Sequence, residues 1–357
     1  MLNDTKMRKL SQRENKVIEI VRRFGNTKSS DIHKNLLLIG EDVSLVTVKR
    51  LLSDMQREKI LSSSGAGRST TYFLSDYGKL ISNIDASVYC KAEPDNRNGT
   101  KDYNFNLFEN INFYLFLDEE AKTLAEATLY YKEKIKNVSE TIHKKELERF
   151  IIELSWKSSK IEGNTYTLLD TENLLLHGVE LAGHKKEEAL MIINHKKAFD
   201  FIYQNKGEFK ELNIKNLENI HAILTKNLNI KNNIRSKPIG VLGSIYKPLD
   251  NQYQIKEAVE NLSKAVSKMK DGYAKALVSL LGISYIQPFE DGNKRSGRLM
   301  ANAMLLAYGL SPLSYRSVDE EDYREAMLVF YELNSLIQFK KIFIAQYDFS
   351  ARNYLIG

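Results

Sequence analysis

The pattern of apolar positions along the first 60 residues predicts three short helices. The first covers residues 11–25 and ends at Gly25, a helix-stop residue. Its apolar stripe consists of Val17, Ile18, Val21 and Phe24. The second covers the segment "SSDIHKNLLL", in which Ser29, Ser30 or Asp31 is the candidate N-cap.

The third predicted helix covers residues 44–59, with Ser44 as its N-cap. One face is apolar, and Lys49 and Arg50 lie on the other faces. The apolar face consists of Leu45, Val48, Leu52 and Met55. This spacing leaves the polar side of the helix free to contact a partner.

Residues 60–75 predict two short strands around a glycine-rich tip that carries Arg68. Three short helices followed by a basic hairpin resemble a winged helix-turn-helix, whose third helix enters a major groove while the hairpin reaches the DNA backbone. The resemblance implies that Lys49, Arg50 and Arg68 contact DNA phosphates. The alternative is a module that mediates protein contacts only.

The rest of the chain predicts a linker followed by a mostly helical domain. Residues 85–113 lose the periodicity and gather Asn, Asp, Gly and Pro. From about residue 114 a helical pattern continues to about 345, with polar breaks near 162–166, 205–212, 229–250 and 310–318. We therefore expect a mainly α protein with three parts. They are a small α+β winged helix at 1–84, a linker at 85–113 and a helical domain at 114–357.

One segment of the helical part has a β-like composition. Residues 237–249, "KPIGVLGSIYKPL", place β-branched residues between glycines and prolines, which predicts a hairpin or an extended flap.

Composition narrows the class of protein. The chain has 357 residues, of which 43% are hydrophobic and 27% are charged, as in a folded globular protein. A single cysteine, Cys90, excludes an internal disulfide framework and favours a reducing compartment, by default the cytoplasm. The polar N-terminal segment does not resemble a signal peptide, and no apolar run reaches the length of a membrane span, so we expect no membrane association.

The net charge of +6 is unevenly distributed. Residues 1–80 contain 15 Lys and Arg against 9 Asp and Glu, a net of +6, which leaves 37 of each sign in the remainder. A basic module joined to a neutral one suggests a polyanion, such as DNA, as the partner of the first module.

The densest cluster of charge lies in "YIQPFEDGNKRSGRL", residues 285–299. The apolar runs at 274–286 and 298–310 predict two buried helices, and Pro288 ends the first. The charged residues thus form a loop that leads into a helix N-terminus, where backbone N–H groups and the helix dipole favour anions. The alternative is a surface loop whose acids and bases pair with one another.

The spacing within this turn suits a polyphosphate. Arg295 and Arg298 are three residues apart and share a face of the first helical turn. Asp291 is suited to Mg²⁺ that bridges phosphates, since Mg²⁺ prefers one or two carboxylates together with substrate oxygens. The Walker A spacing is absent.

The turn resembles the Fic-domain signature H-x-F-x-[DE]-G-N-[GK]-R-x-x-R. Its positions are filled here by Gln287, Phe289, Asp291, Gly292, Asn293, Lys294, Arg295 and Arg298. The resemblance extends over roughly residues 115–345. It also includes "SWKSSKIEGNTY", where Ser158, Glu162 and Gly163 match the [ST]-x-x-x-E-[GN] inhibitory helix, here around 146–163. The alternative for this segment is an ordinary helix end with Gly163 as its stop.

The resemblance implies a role for each matching residue. Fic enzymes transfer AMP from ATP to a hydroxyl side chain of a target protein. By this resemblance, Asp291 would hold the Mg²⁺ that accompanies ATP. The nucleotide would be bound by Gly292, Asn293, Lys294, Arg295, Gly297 and Arg298. Glu162 would occupy Arg298 and keep ATP out of its transfer-competent pose. The flap, through Gly240, Val241, Leu242 and Tyr246, would clamp a target segment by strand addition.

Two further residues are candidates for contact with the adenine base of the nucleotide. Tyr331 and Asn334 lie in "FYELN" and could equally be packing and capping residues of a helix.

Two departures from the signature bear on activity. Gln287 replaces the histidine that takes the proton from the target hydroxyl, and a carboxamide cannot accept a proton near neutral pH. The resemblance therefore implies an ATP-binding protein with little or no transfer, and Gln287 is either natural or a deliberate replacement. Lys294 stands where most AMP-transferring members have glycine, and a minority of members with "NKR" transfer the γ-phosphate instead.

The remaining alternatives concern partners. The target is a protein with a Ser, Thr or Tyr hydroxyl, or the chain itself, and a homodimer is compatible with the resemblance. A different class of function is a DNA-binding regulator in which an inactive Fic core senses ATP.

Overall fold

The computed structural model describes residues 7–111 and 114–356. The outer ends of the expected domains and the last two residues of the expected linker lie outside this range. The helices and strands, in chain order, are α1 (Gln12–Phe24), β1 (Thr27–Lys28), α2 (Ser29–Leu38), α3 (Leu45–Arg57), β2 (Leu61–Ser64), β3 (Thr71–Leu74), α4 (Asp76–Leu80), α5 (Ala86–Cys90), α6 (Asp118–Ile135), α7 (Glu140–Ile161), α8 (Leu168–His177), α9 (Lys186–Gln204), α10 (Ile214–Leu224), α11 (Gln252–Lys268), α12 (Gly272–Ile286), α13 (Asn293–Ala307), α14 (Glu320–Leu333) and α15 (Ile337–Asn353). The mainly α class expected from the sequence is confirmed. Within the described ranges, no helix is both long and apolar enough to cross a bilayer.

The first module combines α1 to α3 with a small antiparallel sheet in the order β1-β3-β2. The expected hairpin is present, with Leu61 opposite Leu74. The two-residue strand β1, in which Thr27 pairs with Tyr72, was not expected because it is too short to show a period. The module has its own hydrophobic cluster, drawn from residues 17–81.

Two helix ends in this module are as predicted from the sequence, and two other predictions for its helices are wrong. Gly25 closes α1 at φ +69°, and Ser44 Oγ accepts from the N–H of Thr47 at 3.2 Å, as expected. The N-cap expected among residues 29–31 is wrong, because α2 begins at Ser29 and no side chain caps it. Phe24, expected on the buried stripe of α1, is 53% exposed because the helix ends there, beyond the module's core.

The segment expected to be a linker packs against the large domain. Tyr103, Leu107, Phe108 and Ile111 are buried in the domain's hydrophobic cluster, and the Tyr103 ring stacks on Tyr285 at 5.0 Å. The segment therefore combines the short helix α5 with irregular backbone, and its buried side chains attach it to the domain.

Helices α12 and α13 form the centre of the large domain. They are buried along almost their whole length, as their apolar runs predicted. A Cβ at Gly297 would lie 3.0 Å from the carbonyl oxygen of Leu280, so this glycine lets α13 approach α12 closely. The two helices hold the charged turn between them on a rigid base.

The segment 237–249 is an extended flap. It has a turn in which the Ser244 N–H donates to Val241 O at 3.1 Å, and no residue of the segment is in a β-strand. Of the hairpin and the flap that the sequence allowed, the structure has the flap. Tyr246, expected to contact a target, is instead buried, and its hydroxyl donates to Tyr285 O at 2.8 Å.

Candidate nucleotide-binding site

The charged turn begins and ends in left-handed backbone. Gln287 closes α12 at φ +52°, ψ +59°, and Gly292 precedes α13 at φ +81°. A non-glycine residue with such a φ costs some free energy, and such strain is concentrated at functional sites. The first α13 hydrogen bond runs from Ser296 N to Gly292 O at 2.9 Å. The N–H groups of residues 293–295 therefore lie in the first helical turn, where an anion can bind them.

Asn293 fixes the shape of the loop. Its Oδ1 accepts from the N–H of Phe289 at 2.8 Å, and its Nδ2 donates to Phe289 O at 2.9 Å and to Gln287 Oε1 at 3.0 Å. One side chain thus spans the loop, and because all three bonds are buried they hold it strongly.

Arg298 is completely buried and is held by residues of α7. Its Nε donates to Ser158 Oγ at 2.9 Å, its NH2 to Ser158 O at 2.8 Å and its NH1 to Glu162 Oε1 at 2.8 Å. Tyr323, which the sequence did not single out, lies 3.5 Å from NH1 with its hydroxyl. The residues expected to form the inhibitory contact, Ser158 and Glu162, are therefore together at Arg298.

Glu162 also meets a second cation, at 3.3 Å from Lys294 Nζ to Oε2. Burial raises the pKa of the Glu162 carboxyl, but the charges of Arg298 and Lys294 outweigh it and lower that pKa to about 2. The carboxylate is therefore ionised at neutral pH. Gly163 follows at φ +94°, a conformation that favours glycine at the end of the helix.

Arg295 has a different partner from Arg298. Its NH2 lies 3.1 Å from Asp291 Oδ2, while NH1 has no hydrogen-bond partner among the described residues although the side chain is only 3% exposed. Burial lowers the pKa of this guanidinium, against the opposing effect of Asp291. A buried donor without a partner is a place where an anion can bind.

These residues and the flap line one open cleft. Its lining residues are Glu162, Ile239, Gly240, Val241, Leu242, Gln287, Glu290, Asp291, Gly292, Asn293, Lys294 and Arg295. Leu242 is 98% exposed at its edge. Asp291 is 63% exposed in its side chain, and no group of three or more His, Cys, Asp or Glu ligands occurs in the described part of the chain. One accessible carboxylate fits Mg²⁺ only if phosphate oxygens complete its coordination.

The lining does not include the candidates Arg298, Ser158, Gly163 and Tyr246. Three further candidates from the sequence have other roles. Asn334 closes α14 at φ +54° and accepts from Asn104 Nδ2 at 3.0 Å. Tyr331 is buried in a stack with Tyr246 at 5.8 Å. These are the contacts of capping and packing residues, the alternative that the sequence left open. Gly297, expected among the nucleotide-binding residues, packs against α12 as described above.

Arg235 and His221 support the turn through contacts with its backbone and with Phe289. The sequence did not predict this role for either residue. Arg235 Nε donates to Gln287 O at 2.7 Å, and the Arg235 N–H donates to Pro288 O at 2.9 Å. The His221 ring stacks on Phe289 at 3.7 Å, and its Nε2 lies 2.9 Å from Asp291 O. Both lie more than 50 residues before the turn, so no local pattern joins them to it.

His221 supports the turn and is not among the residues that line the cleft. Because a carbonyl oxygen only accepts, Nε2 carries the ring proton and donates it to Asp291 O. Burial lowers the pKa of His221 to about 4, although this hydrogen bond opposes the shift. His195, the other buried histidine near the arginines, has a pKa well below the ordinary value, first through burial and then through Arg298 and Arg295.

The three residues expected to contact DNA lie in the first module. Lys49 and Arg50 are exposed on α3, and Arg68 is exposed in the loop between β2 and β3. The structure neither brings them to the cleft nor pairs them with acidic residues of the described chain.

A family model described as Fic/DOC family matches residues 191–305. The chain is 25% identical over 158 residues to the protein adenylyltransferase fic-1 of Caenorhabditis elegans, a match that covers 43% of this chain and 31% of that protein. It is 26% identical over 182 residues to the protein adenylyltransferase Fic of Nematostella vectensis, covering 48% and 41%. The chain thus spans less than half the length of these relatives.

Solved structures share the fold. The Fic-1 fragment from C. elegans has a TM-score of 0.58 at 20% identity, covering 66% of this chain and 72% of that one. A Fic-domain signalling protein from Bacteroides thetaiotaomicron has a TM-score of 0.53 at 18% identity, covering 64% and 94%. The segment that the family model matches contains the whole charged turn and most of both helices that hold it. Residues 191–305 therefore form a Fic/DOC family domain.

Proposed function

We propose that this chain is a Fic-type protein adenylyltransferase, held inactive by Glu162 and with little or no transfer activity because Gln287 stands at the general-base position. Its substrates are ATP and a hydroxyl side chain of a target protein, or of the chain itself. The relatives named protein adenylyltransferase support this reaction class.

The observation that carries the proposal is the occupation of Arg298 by Glu162. The buried Arg298 guanidinium needs an anionic partner, and here Glu162, at the end of α7, supplies it at 2.8 Å. A terminal phosphate of ATP is an anion of suitable geometry for the same guanidinium. Displacement of Glu162 exchanges one charge pair for another, so nucleotide binding and release of the inhibitory helix are coupled.

The residues of the turn would bind and orient the triphosphate. The N–H groups of 293–295 would donate to an anion at the helix N-terminus, and Arg295 NH1 supplies a buried donor without a partner among the described residues. Asp291 would hold Mg²⁺ together with phosphate oxygens. Mg²⁺ would supply charge neutralisation on the phosphates.

The chemical step needs a proton acceptor that this chain lacks at the expected place. The target hydroxyl oxygen bonds to the α-phosphorus, the bond from that phosphorus to the bridging oxygen breaks, and pyrophosphate leaves. The hydroxyl proton must go to a base, but Gln287 donates its amide N–H to Ser284 O at 2.6 Å and its Oε1 is not basic. We therefore expect nucleotide binding without efficient transfer.

The test is to restore the base and remove the inhibition. With labelled ATP, Gln287→His combined with Glu162→Gly should label protein at least about 10² times faster than Glu162→Gly alone. A Gln287→Ala chain with Glu162→Gly controls for the loss of the amide. Absence of label in the His variant would contradict adenylyl transfer.

Phosphoryl transfer is the alternative reaction, and it is supported by the position of Lys294 in the cleft lining. Its ammonium lies in the cleft where most AMP-transferring members have glycine, so the nucleotide could bind in the reverse orientation. The mass added to labelled protein separates the two reactions, since an adenylyl group is much heavier than a phosphate.

DNA binding is a second candidate function. It is supported by the exposed positions of Lys49, Arg50 and Arg68 on one basic module. If the module binds DNA, we propose that the chain works in the cytoplasm, where that DNA would also lie. A gel shift with the chain's own upstream DNA, with and without ATP, tests it, and no shift at low salt would leave protein contact as the role of the module.

A further inference from the structure

The flap is tied to the segment before the large domain through one buried carboxylate. Glu332 on α14 is fully buried, and its two oxygens accept four hydrogen bonds. The donors are Tyr89 OH at 2.7 Å, Arg97 NH1 at 3.3 Å, Ser244 Oγ at 2.7 Å and Ile245 N at 3.2 Å. Two donors thus come from the segment 85–101, which we call the connector, and two come from the flap.

Further contacts join the same two segments directly. Arg97 NH1 donates to Gly243 O at 2.9 Å, and the N–H of Lys247 donates to Lys101 O at 2.7 Å. The Arg97 guanidinium is itself held in the connector by Ala92 O at 2.9 Å from Nε. The flap is therefore fixed at residues 243–247, immediately after the residues that line the cleft.

The energetics make this attachment strong. A buried carboxylate that loses its donors pays a desolvation cost, so the flap cannot leave Glu332 without leaving two acceptor sites unfilled. Removing one partner from a buried ion pair costs more than the pair contributes, which also holds Arg97 in place. Gly99 has no room for a Cβ, which would lie 2.9 Å from Glu332 Cβ, so the connector backbone runs directly beside this side chain.

We propose that Glu332 is a positioning residue for the target-binding flap and that the connector, through Arg97, sets where the flap lies over the cleft. The inference rests on the proposed function, in which residues 239–242 of the flap meet the target. Glu332 touches neither nucleotide nor target and acts through Ser244 and Ile245. The part of the chain expected to be a linker is in this view a component of the substrate site.

The test uses the full chain with Gln287→His and Glu162→Gly, into which Ser244→Ala is introduced. This change removes one flap donor and leaves Glu332 with three others, so the chain remains folded. Hydrogen exchange of the amides at 241–245 should become about tenfold faster, the effect of losing one hydrogen bond to a charged group. The Tyr246 amide is left out of this comparison because it donates to Ser244 Oγ directly, at 3.2 Å. The ATP dissociation constant should stay within about twofold, while the rate of self-labelling at saturating ATP falls.

Arg97→Met tests the same contact from the connector side and should accelerate exchange in the same flap amides. Ser267→Ala is the matched control, since this serine donates to Lys264 O on an exposed part of α11. Unchanged flap exchange in both variants, or equal acceleration in the control, would overturn the positioning role. Exchange is read whether or not label is incorporated, so this role and the proposed transfer fail separately.

Discussion

Two cations contact the Glu162 carboxylate, and Arg298 contributes more to this contact than Lys294 does. Arg298 is fully buried and has three hydrogen bonds to α7, whereas the Lys294 side chain is 32% exposed and lies 3.3 Å from Glu162. Solvent screens the exposed pair, so Arg298 dominates the contact and Lys294 adds to it. In the proposed function, displacement of Glu162 makes both cations available to phosphate.

In the proposed function, Lys294 should therefore contribute more to ATP binding when Glu162 is removed than when it is present. In a Glu162→Gly chain, Lys294→Met should weaken ATP binding by about fivefold, because a cation near the phosphates is removed. With Glu162 present the same change should have a smaller effect, since Lys294 then helps both competitors. Calorimetric titrations of the four chains give the coupling, and equal effects in both backgrounds would contradict the competition.

Glu162 also makes stability depend on pH. Its pKa falls from an ordinary 4.5 to about 2 on folding, so the unfolded chain binds the proton more readily. The stabilisation, on the order of 3 kcal/mol, is complete above about pH 4.5 and is lost as pH falls towards about 2. In urea denaturation, Glu162→Gln should be less stable than the parent at neutral pH, and the gap should narrow as the pH is lowered to about 3. A gap that does not change with pH would show that the carboxylate is not the source.

Helix α14 fixes the end of α7 where Glu162 lies. Arg324 donates to Ile161 O from Nε at 3.1 Å and from NH2 at 2.8 Å. Lys157 on α7 forms a close ion pair with Glu320 at the start of α14. These contacts hold the last turn of α7, because its carbonyl groups have no partners inside the helix.

Arg324→Met should loosen the inhibitory helix without altering the cleft. Two hydrogen bonds from a charged donor are removed, and we expect ATP affinity to rise up to about tenfold, less than in Glu162→Gly. Calorimetry measures the affinity. Arg352→Met, whose guanidinium pairs with Asp348 on the exposed side of α15, is the matched control. Equal ATP affinities in the parent and Arg324→Met chains would show that Arg324 does not hold Glu162 in its position at Arg298.

The basic first module packs against the rest of the chain through several hydrogen bonds. The Leu336 N–H donates to Leu80 O at 3.1 Å, Ser335 Oγ donates to Ser82 O at 2.5 Å, and Asn104 Nδ2 donates to Asp76 Oδ1 at 2.9 Å. These contacts use one side of the module and leave the faces that carry Lys49 and Arg68 exposed.

If this face binds DNA, affinity should fall steeply with salt. Replacing Lys49, Arg50 and Arg68 with alanine should lower the slope of log affinity against log salt by about 0.9 for each DNA phosphate that the variant no longer neutralises. Fluorescence anisotropy on duplex DNA at several salt concentrations gives the slope. Lys256→Ala, an exposed change on α11 of the large domain, serves as control. An unchanged slope in the triple variant would exclude these three residues as partners of DNA phosphates.

Short-range chemistry explains which parts of the fold could be predicted. The apolar runs around the turn predicted two buried helices, and Gly25 and Ser44 ended or began helices as their residue types require. The two-residue strand β1 could not be predicted, because its pairing with β3 depends on a partner about 45 residues away. The helical periodicity placed Phe24 on the buried stripe of α1, but the position is exposed because the helix ends there, beyond the module's core.

The order of residues alone established the charged turn and the two helices around it, through local periodicity and through a motif whose spacing is continuous along the chain. The pairing of Glu162 with Arg298 was expected only because two separate segments resemble those of Fic proteins. Only the folded chain decided that Lys294 reaches the same carboxylate, that His221 and Arg235 support the turn, and that Glu332 joins the connector to the flap. Such contacts join residues far apart in sequence, and burial, which gives them their strength, arises when helices pack and exclude water.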